Sequence, residues 1–438
     1  MRHRHRVPVL RAWVAVAVLG FLIAVPAYPS GFQIQAQGAK ATGMGLAFAG
    51  VADDPSAIFF NPAGMAWQEH FSGQGGFTVA GRTPSDFTGA NPYPGIGGNG
   101  SIDDTQQFLI PHLYLLAPLT AELNFGLAID APYGLGLRWN NPNTSWPGRF
   151  ISQNAVIKTN DINPNFSYKL LPELSIAAGA DYRFSGLELD RNTAAVDPFT
   201  GAVVDVAHTK LYSQLTDNGG WGYNVAAMWK PTPGIGVGAS YRSKIKVNYD
   251  GTATISPRLT GDPVFDALVA AQVPFGVHPV STQIEFPASL NTGLGIGFGD
   301  GWTLALEADW TEWSSFQALN IQFADGAVPD IDRTTAWTDS WAYRGGIEKK
   351  FGAFAIRVGY YYDQTPQPTK DVGPLLADSN RNVYTFGIGY NTPHVGLDLG
   401  GAYIHFNKRT VVGESTDNFF GTYSQTGFEV VGDLRISF

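Results

Sequence analysis

The last eleven residues constrain the fold of this chain more than any other stretch. Phe428, Val430, Gly432, Leu434, Ile436 and Phe438 share one face of a strand, and Glu429, Val431, Asp433, Arg435 and Ser437 share the other. Side chains alternate across a strand with period two, so one face suits hydrocarbon and the other water. A closed sheet is the non-helical way to satisfy every backbone N–H and C=O in lipid. The pattern recurs in Leu174 to Phe184, Ile235 to Tyr249, Trp302 to Trp310 and Phe354 to Tyr362. In the second of these, Ile235, Val237, Ala239, Tyr241, Ile245, Val247 and Tyr249 are expected to face lipid, and Arg242, Lys244, Lys246 and Asn248 the interior. Trp and Tyr gather at strand ends, where an interfacial girdle places them.

Composition agrees. Mean hydropathy is −0.06, too low for a helical membrane protein and suited to strands that are half wet. A net charge of −9 argues against a nucleic-acid partner, and with no Cys there is no disulfide framework. Residues 1–30 read as a secretory signal: Arg2, Arg4, Arg6 and Arg11 precede the apolar run Val14 to Val25, which is too short to span a bilayer.

Short turns near Pro118, Pro172, Pro231 to Gly234, Asp300–Gly301, Phe351–Gly352 and Thr392–Pro393 alternate with long polar segments near 85–105, 134–152, 190–218, 256–280, 318–335, 364–380 and 409–421. They separate fourteen strands, at roughly 70–84, 106–117, 122–133, 153–170, 173–189, 219–230, 234–255, 281–299, 302–317, 336–350, 353–363, 381–391, 395–408 and 422–438. The expected fold is all-β: a 14-stranded antiparallel transmembrane β-barrel over 69–438, plugged by an N-terminal hatch at 31–68. Residues 263–273 read as a short helix capped by Asp262, with Phe265, Leu268, Val269 and Val273 on one face. It is either a ledge for a ligand or packing for its own loop.

Ala52-Asp53-Asp54-Pro55-Ser56-Ala57 followed by Asn61-Pro62-Ala63-Gly64 resembles the hatch of the FadL family of outer-membrane long-chain fatty acid and hydrocarbon transporters. Ser30-Gly31-Phe32-Gln33 resembles the mature start of those proteins. Gly220-Trp221-Gly222-Tyr223-Asn224, Tyr241-Arg242-Ser243-Lys244, Thr311-Glu312-Trp313-Ser314-Ser315-Phe316 and Asp339 through Tyr343-Arg344 follow in family order.

The resemblance implies a passive transporter in the outer membrane of a Gram-negative bacterium. It takes up long-chain fatty acids or similar hydrophobic molecules, binds them inside and releases them sideways at a kinked third strand. The kink is expected at Asp130, Ala131, Pro132, Tyr133 and Gly134, since Pro132 donates nothing to a ladder and Gly134 weakens one. Asn61, Pro62 and Ala63 are then a latch on that kink, or an ordinary polar turn in the plug. Arg191, Arg333 and Arg149 are candidates for a carboxylate headgroup. The alternative is that inward cations pair with inward Asp181, Glu307, Asp309 and Asp433. Phe108, Trp139, Trp146, Phe150 and Phe275 are candidate apolar walls.

The expected partners are a lipophilic ligand, outer-membrane lipid and lipopolysaccharide, with the chain a monomer and no cofactor or metal. Gly95 to Gly100 matches GxGxxG in a loop without the strand-to-helix context of a dinucleotide site. His spacing suggests no metal, and no GxSxG elbow occurs. The rival functions are uptake of neutral aromatic hydrocarbons or alkanes by the same route, an outer-membrane lipid enzyme, and an open porin.

Overall fold

The computed structural model describes residues 31–82, 85–90, 97–102, 106–139 and 146–438; the expected signal at 1–30 lies outside them. Fourteen antiparallel strands close into a barrel. In chain order they are Ser72–Arg82, Gln107–Pro118, Leu123–Asp130 with Gly134–Arg138, Asn154–Leu171, Leu174–Val196, Val203–Ser213 with Gly219–Thr232, and Ile235–Arg242 with Ile245–Pro257. The eighth to tenth are Gly276–Phe286 with Ser289–Phe298, Trp302–Thr311 with Ala318–Phe323, and Ile331–Thr334 with Ser340–Phe351. The last four are Phe354–Asp363, Arg381–Asn391, Val395–Phe406 and Thr426–Ser437. The fourteenth strand pairs with the first from Ser72↔Ser437 to Arg82↔Gly427, which removes the edge.

The outer face of the lower barrel carries exposed apolar side chains such as Phe77, Val225, Leu306, Val358, Phe386 and Leu399. An aromatic row caps this band at its upper rim: Tyr241 lies opposite Leu290, Leu290 opposite Trp310, and Trp310 opposite Trp341. Phe298, Trp302, Phe351, Phe354 and Phe438 mark the lower rim.

The segment before the first strand fills the lumen. It holds short helices at Ala39–Gly43 and Ala57–Phe60 and a 3-10 turn at Pro62–Trp67. Its fixings are hydrogen bonds from its backbone to inward carboxylates. Ala39 N–H donates to Asp433 at 2.7 Å, and Phe48 and Ala49 N–H donate to Glu307 at 2.7 and 2.6 Å. The wall opposite is stripped of side chains where the two meet. A Cβ on Gly238 would run into the Ala49 carbonyl.

Three expectations change. The segment 190–218 is mostly strand, because the fifth strand runs to Val196 and the sixth starts at Val203. The segments 256–280 and 318–335 likewise contain the upper arms of the eighth, ninth and tenth strands. Gly97–Ile102 forms a strand with Ser85–Ala90, Arg409–Val411 and Phe420–Ser424 in a four-stranded cap; residues 95 and 96 lie outside the described ones. The helix stands at Pro263–Gln272 with Asp262 accepting from Val264 and Phe265 N–H, but Leu268 is exposed while Phe265 and Val269 are buried.

Candidate functional site

Five consecutive strands, the sixth to the tenth, are interrupted above the upper aromatic row, and the third is interrupted as well. The seventh shows the consequence. Below the break, Gly236, Gly238 and Ser240 face in; above it, Ile245, Val247 and Tyr249 are buried inside while Lys244, Lys246 and Asn248 face out. The expected inward direction of Lys244 and Lys246 is therefore wrong. A shift of one residue sends every following side chain to the other face. The eighth strand turns with it, because Arg242 faces Ser289 and Ile245 faces Phe286 in one unbroken register. Below the belt the wall is apolar outside and polar inside. Above it the wall is polar outside and apolar inside.

That inversion builds a greasy chamber. Leu135, Ile157, Leu187, Leu211, Ile245 and Val247 join one internal cluster with Phe108, Tyr249, Ile284 and Phe286. At its centre sits Phe32, 1% exposed. Its ring centroid is 4.8 Å from Trp313, 5.4 Å from Phe316, 5.9 Å from Phe286 and 6.1 Å from both Tyr133 and Trp337. These are mostly edge-to-face contacts, the favoured aromatic geometry. The Arg183 guanidinium lies 4.4 Å from the Tyr133 ring and 4.7 Å from Phe286. It makes a two-pronged pair with Asp161 at 2.9 and 2.6 Å.

The same N-terminal residues fill the third-strand kink. Asp130 pairs with Asp161 and Gly134 with Lys158, so Ala131, Pro132 and Tyr133 stand opposite only Thr159 and Asn160. The surplus residue breaks the ladder. Ile34 N–H donates to the Pro132 carbonyl at 2.7 Å, Gly134 N–H donates to the Phe32 carbonyl at 2.8 Å, and Gln37 Nε2 donates to the Ala131 carbonyl at 2.8 Å. The freed backbone is thus paired by the start of the hatch, as a buried ladder end requires.

The expected latch is elsewhere. Asn61 Nδ2 donates to the Ala49 carbonyl at 2.8 Å and to the Ala227 carbonyl of the sixth strand at 3.2 Å, and its Oδ1 accepts from Ala63 N–H at 3.1 Å. Pro62 starts the 3-10 turn, and the Ala63 carbonyl accepts from Ser175 at 2.7 Å. Asn61, Pro62 and Ala63 tie the hatch to the wall and to itself, and the kink is held by Phe32 to Gln37 instead.

The headgroup candidates do not converge. Arg149 makes a two-pronged pair with Asp205, its Nε and Nη2 lying 3.0 and 2.9 Å from Asp205 Oδ1. Arg333 pairs with Asp417 at 3.1 and 2.8 Å. Arg191 is exposed on the upper arm of the fifth strand, opposite Thr209. Inward Arg242 pairs with Asp181 at 3.1 Å, and Arg344 pairs with Asp309. Of the wall candidates, Phe108 belongs to the chamber. Trp139 and Trp146 stack at 3.8 Å in a second cluster under the cap, with Phe87 and Phe419. Phe150 lies under Arg149, and Phe275 packs against the Pro263–Gln272 helix. The residues that sequence reasoning missed as walls, Phe32, Trp313 and Phe316, sit inside the very segments that carry the family resemblance.

A family profile described as "Outer membrane protein transport protein (OMPP1/FadL/TodX)" matches residues 20–433. The chain belongs to this family. The FadL/TodX family consists of outer-membrane transporters of hydrophobic compounds, not enzymes. The long-chain fatty acid transport protein of Escherichia coli O6:H1 is 22% identical, over 90% of this chain and 91% of its own. Outer membrane protein P1 of Haemophilus influenzae is 23% identical, over 85% and 87%. Among solved structures, a Pseudomonas aeruginosa FadL homologue superposes with a TM-score of 0.76 at 22% identity, covering 93% of this chain and 100% of that one. The P. putida toluene transporter TodX superposes with a TM-score of 0.71 at 19% identity, covering 94% and 99%.

Proposed function

We propose that this member of the FadL/TodX family takes up apolar molecules passively, holds them in the chamber around Phe32 and releases them into the bilayer at the third-strand kink. The observation that carries this reading is that one short segment, Phe32 to Gln37, occupies the chamber and closes the kink together. Cargo that displaces the Phe32 ring pulls on the strand that seals the wall. Each buried CH₂ contributes about 0.8 kcal/mol, so an acyl chain or an aromatic hydrocarbon gains enough in the chamber to compete with that ring.

The ion pairs bear on the choice of cargo. Arg183 shares its fork with Asp161, Arg149 with Asp205 and Arg333 with Asp417. A carboxylate headgroup would have to break one of these pairs, whereas a neutral hydrocarbon asks nothing of them. This favours neutral aromatic or aliphatic cargo over long-chain fatty acids, which remain the second reading.

The test uses a Gram-negative host without its own transporter, supplied with radiolabelled toluene and radiolabelled oleate. Deleting Pro132 lets Asp130 and Gly134 keep their partners with a continuous ladder between them. Uptake is expected to fall at least tenfold while the barrel stays folded and binds cargo in detergent. Uptake unchanged by the deletion would refute release at the kink.

A further inference from the structure

The kink in the third strand is not the sole break in the ladder beside the chamber. Between the eighth and ninth strands the ladder runs up to Ser289↔Thr311 and resumes at Thr282↔Ile321. The eighth strand crosses that interval with Gln283 to Ala288, while the ninth needs Glu312 to Asn320, including the 3-10 turn Trp313–Ser315. The two arms splay. Among the described residues the segment bonds to the eighth strand only at its ends, where Glu312 N–H donates to the Ala288 carbonyl at 2.9 Å and Thr282 Oγ1 donates to the Asn320 carbonyl at 2.5 Å. Between them the Phe316 carbonyl accepts from Thr335 Oγ1 at 2.6 Å, and the Gln317 carbonyl accepts from Thr335 N–H at 2.7 Å.

A cavity of about 520 Å³ occupies the splay, within the size range of ligand sites, about 300–1,000 Å³. Its rim is formed by outward residues of the upper arms, Asn248, Asp250, Gln283, Glu285, Asn320 and Gln322. Tyr249 and Phe316 also line it, and both belong to the internal chamber cluster. The cavity thus lies against residues of the chamber wall. Ser315 lines it too; its buried hydroxyl, like the Trp313 indole N–H, has no hydrogen-bond partner among the described residues. The opening lies directly above the row Tyr241, Leu290, Trp310 and Trp341. That is the level of the sugar-bearing surface of the outer leaflet, above the hydrocarbon.

We propose that this splay is a side port through which apolar cargo lodged among the sugars at the membrane surface enters the chamber, a route that rests on the transporter reading above. The rim carries amides and carboxylates, and Lys244 already pairs with Glu285 at 2.9 Å. Such a rim repels an anionic head and tolerates a neutral molecule or one with hydroxyl groups. The port therefore selects uncharged cargo before the chamber holds it.

The natural chain has no Cys, so one introduced thiol is labelled uniquely. Ala318→Cys on the ninth strand and Gln283→Cys across the splay are labelled in turn with a bulky, reducible methanethiosulfonate reagent. Thr410→Cys on the external cap is the control. Toluene uptake is expected to fall at least fivefold on labelling either port variant, to return on reduction, and to ignore the label on Thr410→Cys. Uptake that persists after complete labelling of both port variants, or that falls equally in the control, overturns the port. Absence of uptake by the unlabelled wild-type protein strikes the transporter reading instead, so the two failures are told apart.

Discussion

The ring of Phe32 meets the indole of Trp313 edge-on, with centroids 4.8 Å apart and planes at 72°. Gly31, one residue earlier, lies so close to the same indole that a Cβ there would sit 2.6 Å from it, and its φ of +61° suits glycine. The start of the hatch is thus threaded into the chamber proposed to hold cargo. Removing the ring vacates that place. Phe32→Ala is expected to bind a small aromatic probe about tenfold more tightly, read by quenching of Trp fluorescence, since the probe no longer displaces a buried ring. Weaker binding would show that Phe32 holds the cargo and does not compete with it.

Asn61 acts at the other end of the hatch. Asn61→Ala leaves the Ala49 and Ala227 carbonyls without its amide, a cost of about 1–3 kcal/mol for buried groups. Hydrogen exchange should quicken around Ala49 to Ala52 and in the 3-10 turn, with protection at Ile34 and Gly134 unchanged. Loss of protection at Gly134 would restore the latch that the sequence suggested.

The carboxylates of Glu307 and Asp433 hold hatch backbone from two sides of the barrel. A buried hydrogen bond of this kind contributes about 0.5–1.5 kcal/mol. The double variant Glu307→Ala, Asp433→Ala is expected to loosen the plug and raise ion conductance in planar bilayers several-fold, with a normal heat-modifiable barrel on gels. Conductance as low as in the wild-type protein would mean that the remaining contacts suffice.

One pH response is expected outside the membrane. His278 Nδ1 lies 2.7 Å from Asp325, and its Nε2 meets the Pro274 carbonyl at 2.8 Å just after the external helix. The hydrogen bond with Asp325 raises the His278 pKa, and the same bond lowers that of Asp325. For His278 the stabilisation is full below its unfolded value, about 6.5, and is lost as pH rises through the raised folded value. For Asp325 it is present above about 3.9 and is lost as pH falls through the lowered one. Proteolysis of the Pro263–Gln272 loop should therefore be slow near pH 5 to 6 and faster at pH 8.5, and His278→Asn should be insensitive between these values. Equal rates in the wild-type protein would remove the pair from the loop's stability.

Strand number and the external helix were legible because each has a local signature: alternation, and an Asp262–Pro263 start. The inverted chamber was not. Tyr241, Ile245, Val247 and Tyr249 keep an even spacing, so the text shows one face where the chain makes two. Length held the clue. A membrane needs about 9–11 residues of a tilted strand, and the seventh runs from Ile235 to Pro257. Apolar residues far above the hydrocarbon have no lipid to face, and the interior is where they go. The cage of Phe32, Trp313 and Phe316 escaped for another reason, since a hatch residue and a short turn in the ninth strand meet through tertiary packing alone.

The seventh and eighth strands reverse their faces together and keep Arg242 opposite Ser289 and Ile245 opposite Phe286. Neither can gain or lose a residue at that level by itself without turning its oily side chains toward sugar and water. Insertions and deletions there must arrive as matched couples in neighbouring staves. Lineages of this barrel will reshape that part of the vestibule in paired steps, and a lone change in the length of either stave at that height marks a protein that has given up its dry interior.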